Sequence, residues 1–380
     1  VVIKGGRLVD PSQGSDTIQD VAITNGKVKA VEKSIPSADA KRVVNARGMI
    51  VTPGWVDLHV HIAWGSSHYG IEPDSTCLNR GVTTALDLGS TGAFTFMSFR
   101  RLILERAKTR LFALLNISSG GMISPKVGDN EDLDFLDPEL CAKTIDANRD
   151  LLLGVKVRLT KALVGNNGLV PLDRAREAAD AVKLPLTVHP NNPSGTLKEI
   201  LGKLKAGDVV THCFHGNQEG ILGDDRKIKP EVWDARQRGV LFDVGHGRGS
   251  FSFPVVEAAL SQGLKPFSIS SDLHYYNLYG PVFDQATTLT KFLYLGMALP
   301  EVIRMTTTNP AQAMGKGDTL GTLKPGAEGD VTICNIESGS FTLTDSNGVS
   351  RVAKERIVPV AALRNGRLFR AGRVSPCVEL

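Results

Sequence analysis

Apolar positions recur along this chain in two rhythms. Before about residue 52 they sit in short alternating runs, VVIKGGRLVD, DVAITNGKVKAVEK and RVVNARGMIV, broken by Gly and Asn. A period of two marks half-buried strands, and Asn25-Gly26 between two such pieces marks a tight hairpin. From Thr52 to about residue 318 the pattern changes to short apolar runs separated by longer amphipathic ones. Eight runs read as strands: VDLHVH, VTTALDL, RLFALLNI, LLLGVKVRL, LPLTVH, DVVTHC, GVLFDVG and PFSISSD. Segments such as FMSFRRLILERAKT, PLDRAREAADAV and GTLKEILGKLKAG read as helices between them. After about residue 319 the hairpin style returns in GDVTICNI, GSFTLTD, VAALRNG and GRLFRAG.

Alternating strands and helices predict an α/β fold, a (β/α)8 TIM-like barrel over 52–318. Residues 1–51 plus 319–380 are expected to form a small β-sandwich domain built from both chain termini. An open doubly wound sheet would carry a glycine-rich phosphate turn after its first strand. None follows VDLHVH.

Composition narrows the function classes. The chain is 42% hydrophobic and 22% charged, with a net charge of +4 and no basic block, which argues against a nucleic-acid partner. Its apolar stretches are far shorter than the roughly 20 residues of a membrane span. No secretory signal is visible, and Cys77, Cys141, Cys213, Cys334 and Cys377 are odd in number and scattered. The expectation is a cytoplasmic protein acting on a small molecule.

The candidate chemistry begins at His59-Val60-His61. Side chains at i and i+2 of a strand share a face, so the two imidazoles can grip one metal ion. Lys156, His189, His212 and Asp272 lie at or near the ends of four further runs. In a barrel those ends converge on the catalytic face. Imidazoles with a carboxylate suit a transition metal such as zinc, and six positions suit two ions better than one. Lys156 fits less simply, because an ammonium has no lone pair. It is either an ion-pair partner or a neutral amine that has reacted with CO2 to give a carbamate.

Arg158, two residues past Lys156, shares its face and lies about 6 to 7 Å farther along the strand, placed to grip a carboxylate. Arg248 in the glycine-rich turn, His246 between two glycines, and His274 two residues past Asp272 are further candidates for substrate binding. His68, Trp64 and Tyr69 are placed to contact substrate or to pack. His215 is placed to orient a ligand, and Cys213 to fill space. The run FLYLGMAL (292–299) reads as an apolar helix serving either the barrel's outer layer or a homo-oligomer interface.

The pattern of H-x-H, Lys, His, His and Asp over successive strands resembles the amidohydrolase superfamily. TTTNPAQAMG followed by GTLKPGAEGDVTI is similar to its usual barrel exit. THCFHG, FDVGHGRGSFSF and SISSDLH are similar to a dihydroorotase-like or deacetylase group within it. The resemblance implies two divalent metal ions, zinc being expected. His59, His61 and Asp272 would serve one, His189 and His212 the other, with Lys156 as N6-carboxylysine between them. It implies Asp272 as the catalytic proton carrier, and hydrolysis of an acetyl amide or ester such as an N-acetyl-D-amino acid or acetylated 2-hydroxy acid. Dihydroorotase activity is associated with an Arg soon after the H-x-H, where this chain has Ile62, Ala63 and Trp64. A cyclic amidase, a mononuclear deaminase and a non-catalytic barrel scaffold are the alternatives.

Overall fold

The computed structural model describes residues 1–38 and 40–372. Two sheets organise it. The first contains β1 (Val2–Asp10), β2 (Ser15–Thr24), β3 (Lys27–Glu32), β4 (Val43–Asn45) and β5 (Ile50–Pro53). The second contains β6 (Trp55–Val60), β7 (Val82–Leu88), β8 (Arg110–Asn116), β9 (Leu152–Arg158), β10 (Leu186–His189), β11 (Val209–Val210) and β12 (Leu241–Phe242). The chain then returns to the first sheet as β13 (Val331–Thr344), β14 (Ser350–Arg364) and β15 (Arg367–Arg370).

The second sheet is parallel, with its seven strands side by side in chain order. β6 and β7 are buried along their whole length, as expected where both faces of a parallel sheet are covered. The eighth strand-like run, 266–272, and Leu273 after it form only isolated bridges. They touch both edges of the curled sheet, pairing Ser268 with Asp243 and Leu273 with Val60. Asp272 N–H donates to the His59 carbonyl (2.7 Å) and His61 N–H to that of Leu273 (3.0 Å).

The first sheet is mixed, in the order β15-β14-β13-β5-β1-β2-β3, with β4 also on β1. Strands from both ends of the chain therefore share one sheet, joined where β5 pairs antiparallel with β13. Asn25 and Gly26 turn between β2 and β3 with φ of 51° and 74°, the left-handed pair that a two-residue hairpin requires.

Several expected elements differ in detail. GDVTICNI and GSFTLTD are one bent strand, β13, with an irregularity between Ser338 and Phe341. FMSFRRLILERAKT begins as a helical turn at Phe96–Phe99 and widens to π-type winding at Arg100–Leu104. FLYLGMAL is not one helix. Helix Gln285–Tyr294 stops before Leu295, Gly296 takes φ of 87°, and a new helix starts at Leu299 with Pro300 in its first turn. Phe292 and Met297 point into the core. Cys77, Cys141, Cys213 and Cys334 are buried free thiols, whereas Cys377 lies outside the described residues. Among the described residues no helix is long and apolar enough to cross a membrane.

Candidate metal centre

The C-terminal ends of the parallel strands bring five of the six expected ligands together with Lys156. His59 and His61 project from one side of β6 and its extension, and their Nε2 atoms each lie 3.2 Å from Asp272 Oδ1. The rings of His59 and His212 are 4.9 Å apart, and those of His189 and His212 4.2 Å. Ligand atoms of His59, His212 and Asp272 all fall within 4.8 Å of one another. Lys156 is fully buried on β9, opposite Thr187 of β10 and two residues short of the register position of His189.

Hydrogen bonds decide which ring nitrogens face this centre. His59 Nδ1 is 2.8 Å from Thr211 Oγ1, whose hydroxyl donates to Asp243 Oδ2 (2.9 Å). The Thr211 oxygen must therefore accept from His59, which leaves the His59 Nε2 lone pair pointing inward. His61 Nδ1 is 2.8 Å from Ser90 Oγ, which is itself hydrogen-bonded to the buried Asp87. His212 Nδ1 donates to the Gly245 carbonyl (2.6 Å), because a carbonyl can only accept. Three imidazoles thus present bare Nε2 lone pairs to one place.

Burial, with Lys156 and the other imidazoles adding to it, pulls His59, His189 and His212 well below their ordinary values and keeps the rings neutral. Burial likewise pushes Asp272 up to about 6, partly opposed by His274, Lys156 and Arg158. Burial lowers the Lys156 amine to about 7.

Lys156 Nζ, His212 Nε2 and Asp272 Oδ1 are buried without a hydrogen-bond partner. Unsatisfied buried polar atoms are rare and costly. A carboxylate oxygen facing imidazole lone pairs is repelled unless positive charge sits between them. The donor set therefore fits a divalent cation and could hold one.

The local backbone is shaped to this end. Asp272 and His212 have φ of 48° and 63°, left-handed values that turn their side chains inward at strand ends. Gly89 lets the Lys156 stem pass, since a Cβ there would stand 2.6 Å from Lys156 Cβ. A Cβ on Gly247 would collide with Asp272 Oδ2.

A cavity of about 470 Å³ opens above the centre. Its floor includes His61, Lys156, His189, His212 and Asp272, and His68, Tyr69, His274 and Tyr276 form an aromatic wall. His274 Nδ1 accepts from Tyr276 N–H (3.1 Å), which makes Nε2 the protonated nitrogen. Arg158 lines the cavity but is largely committed. Its Nε and Nη2 hold Asp129 at 2.9 and 2.6 Å, and Nη1 reaches the Tyr69 hydroxyl at 3.4 Å. Arg248 is exposed at the rim.

His246 stands apart from the cavity. It is fully buried, stacked on Phe251 at 4.4 Å, with Nε2 on Lys291 Nζ and Nδ1 on the Gly247 carbonyl. His215 meets His212 through backbone, its N–H donating to the His212 carbonyl. Cys213 is buried, as a space-filling residue would be, and Trp64 is exposed.

Thr211, Ser90, Asp87, Asp243 and Asp129 were not singled out by sequence reasoning. The available signal was an acidic residue inside an otherwise apolar strand end, as in VTTALDL and GVLFDVG.

The amidohydrolase family model matches residues 50–366. A protein of Enterococcus faecalis named "Deacetylase" is 39% identical over 373 residues, covering 97% of this chain and 98% of the relative. A solved structure described as an adenine deaminase superposes with a TM-score of 0.90 at 38% identity, covering 97% of this chain and 99% of its own. Another, described as a dihydroorotase, gives 0.90 at 34% identity, covering 99% and 98%. Three different reaction names on closely similar chains show that the fold alone does not choose the substrate. With a match spanning most of its length and a centre built from the residues its sequence marks out, this chain belongs to the amidohydrolase family.

Proposed function

We propose that this chain is a zinc-dependent hydrolase of deacetylase type, cleaving an acyl amide or ester bond in a small carboxylate-bearing substrate. The observation that carries the reading is the set of inward-facing Nε2 lone pairs around Asp272 and the unpartnered Lys156 amine. The Enterococcus relative supports the reaction type. The curled sheet and segment 266–273 together read as an eight-stave barrel over 52–318. Residues 1–51 with 319–380 read as the small β-sandwich domain. Buried free thiols support a reducing compartment such as the cytoplasm.

His59, His61 and Asp272 would hold one divalent ion, and His189 and His212 the second. A neutral Lys156 amine can take up CO2, and its carbamate would serve both ions. When bound, zinc supplies Lewis acidity and makes a water molecule acidic near neutral pH.

The chain's own residues supply the remaining chemistry. Asp272, beside both imidazoles of the H-x-H pair, is placed to accept a proton and return it to the leaving nitrogen or oxygen. The neutral His274 Nε2–H group and the Arg158 guanidinium line the cavity as hydrogen-bond donors for a substrate carboxylate, and Arg248 adds charge at the rim. Asp129 keeps Arg158 in place. The aromatic wall bounds one side of the cavity.

The test is a screen of the zinc-loaded protein against N-acetyl-D-amino acids, acetylated 2-hydroxy acids, dihydroorotate and adenine. Acetate release is expected. Ring opening of dihydroorotate, or ammonia from adenine, with no acetate from any acyl substrate would overturn the reading.

A further inference from the structure

Lys291 is the largest polar group in the core that the proposed chemistry leaves without a role. It lies in helix Gln285–Tyr294, is fully buried, and directs Nζ to three acceptors on three separate segments. These are the Thr344 carbonyl at the end of β13 (2.7 Å), the Pro281 carbonyl (3.1 Å) and His246 Nε2 (2.6 Å). An ammonium has three N–H donors, and here each one is used. Because His246 Nδ1 donates to the Gly247 carbonyl, Nε2 is free to accept from Lys291.

His246 sits between two glycines that touch the metal centre. The Gly245 carbonyl fixes His212, and a Cβ on Gly245 would stand 2.9 Å from His212 Nδ1 and from His59 Nδ1. Gly247 packs against Asp272 Oδ2 and donates to the Ser271 carbonyl. Backbone N–H groups of Gly245, His246 and Gly247 bond segment 270–271 on one side, and the His246 ring is the side chain that anchors the turn on the other. A second contact reaches the same turn from the β13–β14 connection. Ser346 Oγ accepts from Phe251 N–H (3.2 Å) and donates to the Gly247 carbonyl (3.1 Å), while Ser346 N–H donates to the Phe251 carbonyl (2.9 Å).

We propose that Lys291 is a positioning residue of the catalytic face, holding loop 245–250 against His212 and Asp272 through His246 and tying that loop to the β13–β14 hairpin. The proposal rests on the metal-hydrolase reading for what the loop holds. It explains why a hairpin of two long strands extends from the terminal sheet to the mouth of the parallel one. The same loop carries Arg248 and Ser250 to the cavity, so its position also governs the grip on substrate.

The test uses zinc-loaded full-length protein carrying Lys291→Met or, separately, Ser346→Ala. Folding is checked by circular dichroism, and zinc release to a chelator is timed well below the melting transition. Each variant is expected to release zinc at least about ten-fold faster than the parent. Each should also raise KM for whichever acetylated carboxylate the parent hydrolyses. Folded variants with unchanged zinc release and unchanged KM, differing only in melting temperature, would overturn the proposal and leave Lys291 a purely structural residue. If Lys291→Met fails to fold, Ser346→Ala, at a partly buried turn, decides by the same two readings. Zinc release is read without turnover, so a protein inert to every acyl substrate would sink the deacetylase reading and leave this one standing.

Discussion

Thr211 accepts a hydrogen bond from His59 and donates its own to Asp243, so one hydroxyl sets the tautomer of a proposed ligand. Thr211→Val keeps the shape and removes both bonds. Zinc affinity measured by chelator competition should fall about 10- to 100-fold, and unchanged affinity would refute the relay. Asp272→Asn should lower turnover by about 10²- to 10⁴-fold with zinc content confirmed, and near-normal turnover would rule out Asp272 as the proton carrier. Lys156 yields a pH prediction for the metal-free protein. Its amine is held near 7 against an ordinary 10.5, so unfolding takes up a proton between those values. The burial penalty is therefore fully present below about pH 7 and fades as pH rises toward 10.5. Metal-free Lys156→Met should be the more stable by roughly 2 kcal/mol or more at pH 7, with the gap narrowing toward pH 10 in urea titrations. That the candidate residues and Lys156 would meet at one place was legible in the sequence, because metal chemistry favours those residue types at strand ends. Thr211, Ser90 and Asp129 were not, since a hydroxyl or carboxylate acquires such a role only from a neighbour far away in the chain. Arg158 shows the same limit: its face was readable, but its bidentate tie to Asp129 was not.

At the scale of elements, the loops after the strands carry more specification than the strands. β11 and β12 are only two residues long, yet His212 and loop 245–250 that follow them are held by named hydrogen bonds. Gly247→Ala places a methyl group against Asp272 Oδ2 at a φ of 56°. It should cost metal retention and activity together, with far-UV circular dichroism unchanged. Retained zinc and full turnover would show that the turn can shift without consequence. Seven of the eight expected strands could be read from apolar runs because a parallel sheet buries both faces of its strands. The regularity of PFSISSD could not. The hydroxyls of Ser268 and Ser270 donate to Asp243 and that of Ser271 to Asp57, which competes with a regular ladder. FLYLGMAL misled because apolar composition continues across a glycine that the backbone uses to end a helix.

Over the whole molecule, the proposed metal ligands come from β6, β9, β10, the segment after β11 and segment 268–273, so a bound cation should act as a clamp on the parallel sheet. Stripping with a chelator should lower the melting temperature by several degrees, and zinc, not magnesium, should restore it. A melting curve indifferent to chelator would count against a resident ion. That strands from both ends of the chain share one sheet was legible only as a change of rhythm. That the returning segment would include strands of 14 and 15 residues was not, because each was interrupted by polar positions where it crosses from one neighbour to another. The pairing of β5 with β13 has a consequence for biosynthesis. Val51 sits opposite Ile333, so nearly three hundred residues must emerge from the ribosome between the two. At roughly 5 to 20 residues per second, that leaves the nascent β5 edge without its mate for about 14 to 60 seconds. During that interval the exposed backbone is a template for the wrong neighbour, and newly made chains should depend on chaperone shelter until translation ends.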